Sequence, residues 1–161
     1  MQKKIKEITE KEALQKLGAL CSRSEHCTFE MQEKMKRWGL DEQTQTRIIA
    51  TLIKGKYIDD ERFARAFAND KVRYNKWGKR KVEQALFLKH IDEDIRHRVL
   101  DEIEDEDFKE TLRPLLLAKM KSVKAKSDYE LNCKLIRFAM GRGYDLSLIH
   151  ISEPTRPISI S

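Results

Sequence analysis

The stretch KGKYIDDERFARAF, residues 54–67, contains a stop and a start. Lys54-Gly55 suits the end of a helix, since glycine adopts the backbone conformations that close one. Asp59-Asp60 offers carboxylates to the free N–H groups of a helix that is beginning. Phe63, Ala64 and Phe67 then open an apolar stripe at helical spacing. The segment reads as the junction between two helical units. The composition agrees: glycine (6) and proline (3) are scarce in 161 residues, and 37% are charged. Glu, Lys, Leu, Arg and Ala, which lose little entropy in a helix, are plentiful.

Outward from the junction the pattern recurs. Leu40-Asp41 and Ile91-Asp92 lie 51 residues apart. At the same offset Met31 matches Val82, Met35 matches Leu86, Ile48 matches Val99 and Leu52 matches Ile103, and Tyr57 falls on Phe108. A third copy, DYELNCKLIRFAMGRGYD, occupies 128–145, where Gly143-Tyr144-Asp145 repeats Gly39-Leu40-Asp41. A period near 50 residues marks a tandem array. Each unit reads as three helices: Thr9-x-x-Glu12 and Ser127-x-x-Glu130 are capping boxes, and Asp41 caps a third helix.

Three short helices bury little alone, and stacked copies bury more. The expected fold is therefore all-α: about three tandem three-helix repeats in an elongated, curved array, with no sheet. The expected divisions are an N-terminal extension (1–8), repeats at 9–57 and 58–106, and an incomplete third repeat at 107–145. Pro114 implies that the first helix of the third repeat starts late, near Thr111, or is kinked. From Leu146 the pattern fails. Ser152, Glu153 and Arg156 stand where apolar residues are due, and Pro154 and Pro157 oppose a helix, so 146–161 reads as a non-native or disordered tail.

Formal net charge is +6, which favours polyanionic partners such as nucleic acid, acidic protein surfaces or anionic membrane. Cys21, Cys27 and Cys133 are odd in number and form no CxxC, so a reducing cytosol is expected. The first residues, MQKKIKEITEKEAL, lack the apolar core of a signal peptide, and no stretch is apolar enough to span a membrane. Cys21, His26 and Cys27 lie close together but lack a fourth ligand and zinc spacing, so no metal is assigned. No nucleophile–base pair can be assembled from spacing, and Gly141-Arg142-Gly143 lacks the strand–glycine–helix setting of a nucleotide loop. The chain does not read as an enzyme, and no cofactor is implied.

KYIDDERFARAF resembles the G-Y-(L/I)-D-D-x-R-F-A signature of RecX, the bacterial regulator of RecA. YNKWGKRKVEQAL and MGRGYD resemble that family's second and third signatures, and the tandem three-helix repeats resemble its architecture. The resemblance covers about residues 9–145. Two departures stand out: Lys56 occupies the position usually held by glycine, and the last helix is missing or replaced. An array with polar faces is expected to be a monomer, and without the resemblance the chain reads as a stand-alone helical nucleic-acid-binding module or a helical protein-interaction scaffold. The resemblance implies a cytoplasmic, non-enzymatic protein that binds the RecA–DNA filament. There it inhibits strand exchange and ATP hydrolysis, with weak direct DNA contact.

Two sets of residues are singled out. Between 71 and 89 lie Lys71, Arg73, Lys76, Lys79, Arg80, Lys81 and Lys89 against one acid, Glu83, while 92–107 holds nine acids. Taken alone, these are solvated helix faces or faces for a charged partner. With the resemblance, Lys71, Arg73, Tyr74, Lys76, Trp77, Lys79, Arg80 and Lys81 are the expected partner- or nucleic-acid-binding residues. For Trp77 a structural role, closing a loop over the core, is preferred to base stacking. For Tyr74 both readings stay open. The second set, Tyr57, Asp59, Asp60, Arg62 and Phe63, is expected to be structural: Tyr57 and Phe63 as contacts between modules, Asp59 or Asp60 as a cap, and Arg62 as a holder of a carboxylate or a partner. Lys119, Lys121, Lys124 and Lys126 form a further basic run, either a solvated face or a reach toward phosphates.

Overall fold

The computed structural model describes residues 7–151. Among these, nine α-helices and no strand are found: α1 (Glu10–Arg23), α2 (Thr28–Arg37), α3 (Glu42–Lys54), α4 (Asp60–Arg73), α5 (Lys79–Leu88), α6 (Glu93–Asp101), α7 (Asp105–Ser122), α8 (Asp128–Gly141) and α9 (Leu146–Ile151). Successive triples form three tandem repeats. In the first, α3 packs on α1 and α2; in the second, α4 on α5 and α6; in the third, α7 on α8 and α9. The principal contact between helices of different repeats is α4 on α7.

The helix starts follow local chemistry. Thr9, Asp41, Asp59 and Ser127 accept the backbone N–H groups of Glu12, Thr44, Arg62 and Glu130, which would otherwise have no partner. The turn between second and third helices has one design in every repeat. The N–H groups of Leu40, Ile91 and Tyr144 reach back to the carbonyls of Met35, Leu86 and Ala139. This closure requires a left-handed residue, supplied by Gly39 (φ 76°), His90 (φ 56°) and Gly143 (φ 92°).

The apolar periodicity builds two cores rather than three. Ala13, Leu17, Met31, Met35, Ile48, Ile49, Leu52 and Ile58 fill the first repeat. The second and third repeats share one continuous core that includes Phe63, Val82, Leu86, Ile91, Phe108, Leu116, Leu135 and Tyr144. Cys27 and Phe29, at the start of α2, pack into this second core and tie the first repeat to it.

Three expectations change. Tyr57 is not a core contact: it is 47% exposed, and Ile58 (2%) fills the inward place. Lys56 turns left-handed (φ 61°), and the N–H groups of Tyr57 and Ile58 both address the Leu52 carbonyl, which rotates Ile58 inward. The counterpart of Phe108 is accordingly Phe63; each is the fourth residue of its helix. Second, of the two readings offered for Pro114, the late start near Thr111 does not hold: α7 begins at Asp105 and runs through the proline. Pro114 lies on its exposed face, where water can take the Glu110 carbonyl that proline leaves without a donor. Third, the helical pattern does not stop at Leu146: Leu146–Ile151 is helical, and Leu148 packs against the shared core. The rest of the expected tail, 152–161, lies outside the described residues, as do residues 1–6.

Candidate functional site

The 54–67 junction is a clasp between the first two repeats. Asp59 caps its own helix, through the Arg62 N–H at 3.0 Å. Asp60 instead accepts the N–H of Thr28, at the head of α2, at 2.8 Å. Two adjacent carboxylates thus start helices in different repeats. Arg62 reaches Glu25 at 2.7 Å and donates to the carbonyls of Lys56 (3.0 Å) and Tyr57 (3.3 Å). Phe63 is buried. Around the clasp, Glu30 accepts from the Cys27 N–H and pairs with Lys89 at 3.2 Å, and the Phe29 and His90 rings stack at 4.1 Å. Burial in this joint pushes the Cys27 thiol up to about 11, with the nearby carboxylates of Glu30 and Asp60 adding to the rise.

The basic stretch 71–81 proves to be largely committed within the molecule. Lys71 and Lys81 lie 5.0 and 4.7 Å from the centre of the Trp77 ring, and Trp77 meets Phe67 edge-on. Trp77 is half-buried, with both cations on its ring. Lys79 pairs with Asp101 at 3.6 Å and Arg80 with Asp145 at 2.9 Å. Arg73, Tyr74 and Lys76 form the outward edge. Tyr74 is 80% exposed, and neither Arg73 nor Lys76 pairs with a carboxylate among the described residues.

Part of this commitment, the Arg80–Asp145 pair, belongs to a contact that sequence reasoning missed. The two stretches YNKWGKRKVEQAL and MGRGYD meet. The Gly78 N–H donates to the Arg142 carbonyl at 2.7 Å and the Arg80 N–H to the Gly143 carbonyl at 3.0 Å. A Cβ on Gly78 would lie 2.3 Å from the Gly143 backbone, and one on Gly143 would lie 2.5 Å from the Lys81 backbone. Only two glycines permit this approach. Tyr144, 1% exposed, sends its hydroxyl to the Lys76 carbonyl (3.0 Å) and Thr111 (2.9 Å), and Arg142 reaches the Asn75 carbonyl. Burial raises the Tyr144 hydroxyl above its ordinary value, against the lowering effect of the Thr111 bond. The available signal was a glycine in each stretch, Gly78 and Gly143.

Among the described residues no cluster of His, Cys, Asp or Glu could hold a metal, and no helix is long and apolar enough to cross a membrane.

The chain resembles known proteins along most of its length. Residues 59–100 match the family model for the second three-helix domain of RecX. The regulatory protein RecX of Clostridium perfringens strain 13 is 31% identical over 147 residues, covering 88% of this chain and 68% of that protein. The regulatory protein RecX of Acinetobacter baylyi is 31% identical over 131 residues, covering 81% of this chain and 79% of the relative. The crystal structure of RecX from Lactobacillus salivarius superposes with a TM-score of 0.79 at 19% identity, over 89% of this chain and 93% of that one. That fold likeness matches the three repeats seen here. These relatives are named for regulation, not catalysis, and the chain belongs to the RecX family of regulatory proteins.

Proposed function

We propose that this protein binds RecA–DNA filaments in the cytoplasm, as a monomer, and lowers RecA's strand exchange and ATP hydrolysis without chemistry of its own. The observation that carries the reading is family membership, at 31% identity to regulatory RecX proteins over most of the chain. The surface is compatible with it. A helical filament offers both protein and nucleic acid, and this chain displays an outward basic edge at Arg73, Tyr74 and Lys76 and an acidic stretch at 92–107. Of the other five expected contact residues, Arg80 pairs with Asp145 of the third repeat, while Lys71, Trp77, Lys79 and Lys81 make their side-chain contacts within the second. All three repeats together form the proposed functional unit.

Titration of the protein into RecA on single-stranded DNA, with ATP turnover as readout, tests the reading. Turnover falls as the protein saturates the filament; unchanged turnover at saturation would overturn it. The double variant Arg73→Glu, Tyr74→Ser keeps the fold by circular dichroism and is expected to inhibit at least tenfold less well. Use as a free-standing helix-turn-helix reader is disfavoured. The first turn of α5, which such a reader would insert into a groove, is seated on residues 142–145.

A further inference from the structure

The third repeat carries a basic groove: Met120 and Phe138 seat its walls on the shared core, and Lys121, Lys124, Lys126 and Arg137 are left exposed. Helix α7 runs for 18 residues where α1 and α4 run for 14. The additional turn, with the link that follows it, contains Lys119, Lys121, Lys124 and Lys126 and no acid. Helices α1 and α4 pack without such a turn, so making a three-helix unit does not require it. The turn and α8 enclose an open groove of about 500 Å³, lined by Lys119, Lys124, Lys134, Arg137 and Phe138.

The cations differ in availability. Lys134 is held by Glu130 at 3.1 Å and by the Lys124 carbonyl. Lys119 sits 5.2 Å from the centre of the Phe138 ring, and Arg142 lies 5.5 Å from it. Lys121, Lys124, Lys126 and Arg137 are exposed and pair with no carboxylate among the described residues. A protein interface is anchored by a buried aromatic or apolar side chain, and here the one aromatic is already attended by cations. A phosphodiester chain needs only spaced cations in an open channel.

We infer that this groove binds the sugar–phosphate backbone of nucleic acid without reading sequence, with Lys124 and Arg137 each meeting a phosphate. The placement rests on the proposed reading that DNA lies within reach of the protein in the filament, but its test needs no RecA. Binding of the whole protein to a fluorescent oligothymidylate is followed by anisotropy across a salt series. The double variant Lys124→Gln, Arg137→Gln is compared with Lys11→Gln, Lys54→Gln, which removes the same charge from exposed sites on the first repeat. The groove variant is expected to bind about tenfold more weakly at low salt, with a log–log salt slope shallower by about 1.4, two single-strand phosphate contacts. The first-repeat variant stays within about twofold of the unaltered protein. No binding by the unaltered protein would overturn the inference, as would equal losses in both variants or an unchanged slope in the groove variant. Displacement of the oligonucleotide by polyglutamate at equal charge would assign the groove to acidic protein and overturn it equally. Failure here leaves the ATP-turnover reading standing, and failure there leaves this one.

Discussion

Gly39 and Gly143 occupy the same turn of different repeats, yet they bear different burdens. Both are left-handed, but a Cβ on Gly39 meets nothing within 4 Å, whereas one on Gly143 meets the Lys81 backbone. Gly39→Ala is expected to cost about 1 kcal/mol, the conformational term alone. Gly143→Ala should cost ~3 kcal/mol or more, because strain and a backbone clash add. Urea unfolding of the two variants measures the difference; equal losses would show that the Gly78–Gly143 approach contributes nothing. At this scale the sequence was legible wherever a residue acts on its neighbours. Asp41, Asp59 and Ser127 cap as their positions imply. It was illegible wherever a residue acts across the fold. Asp60 cannot be assigned to Thr28, nor Arg80 to Asp145, without knowing how the repeats dock. Tyr57 misled because a single left-handed residue, Lys56, moves the inward direction by one place.

Helices within a repeat are laced by arginine–carboxylate pairs. Arg47 meets Glu10 at 3.0 Å, and 51 residues on, Arg98 meets Glu61 between the corresponding helices. Arg65 adds a two-pronged bond to Glu102, at 2.8 Å for each prong. Bonds from Arg47 and Arg65 hold the Glu10 and Glu102 carboxyls below the ordinary value of 4.5. A carboxylate with a lowered folded value stabilises the fold above its unfolded value and loses that effect as pH falls through the folded one. Urea midpoints should therefore hold steady from pH 7 down to about 5 and drop below 4.5. Arg65→Gln should make the drop shallower. The surface position of both pairs keeps their contribution small. A midpoint that rises on acidification would refute the assignment. The joint between the first two repeats has its own reporter. With its thiol at about 11 and its side chain buried, Cys27 is ionised in about one molecule per thousand at pH 8. Ellman's reagent should modify it only as fast as the joint opens, more slowly than half-buried Cys133; labelling at the rate of the unfolded chain would contradict a closed joint. Element existence was readable from periodicity and capping. The paired arginines were not, although their recurrence at the repeat offset was a signal in plain view.

For the whole molecule, the 50-residue period predicted equal units, and the architecture obeys it. The cores do not. A shorter link before α7 and the packing of α4 on α7 merge the second and third repeats, while the first keeps its own core. Stability should divide along the same line. Native-state hydrogen exchange is expected to show α1 and α3 opening together at lower free energy, with α4, α5, α7 and α8 opening later as one unit. A single common opening energy for all helices would argue against two cores. Unequal fusion was invisible in the sequence because repeat matching reports likeness of units, and fusion depends on what lies between them. The left-handed corner shows what such fusion does to a duplicated position. Two copies keep glycine there, the residue that makes the bend easy. The middle copy has His90, whose ring lies flat on Phe29 of the preceding repeat. Local comfort has been exchanged for stiffness along the chain: a glycine at 90 would relax its own corner while freeing the first repeat to swing, and Cys27 would then be labelled sooner in a molecule whose middle unit had become steadier.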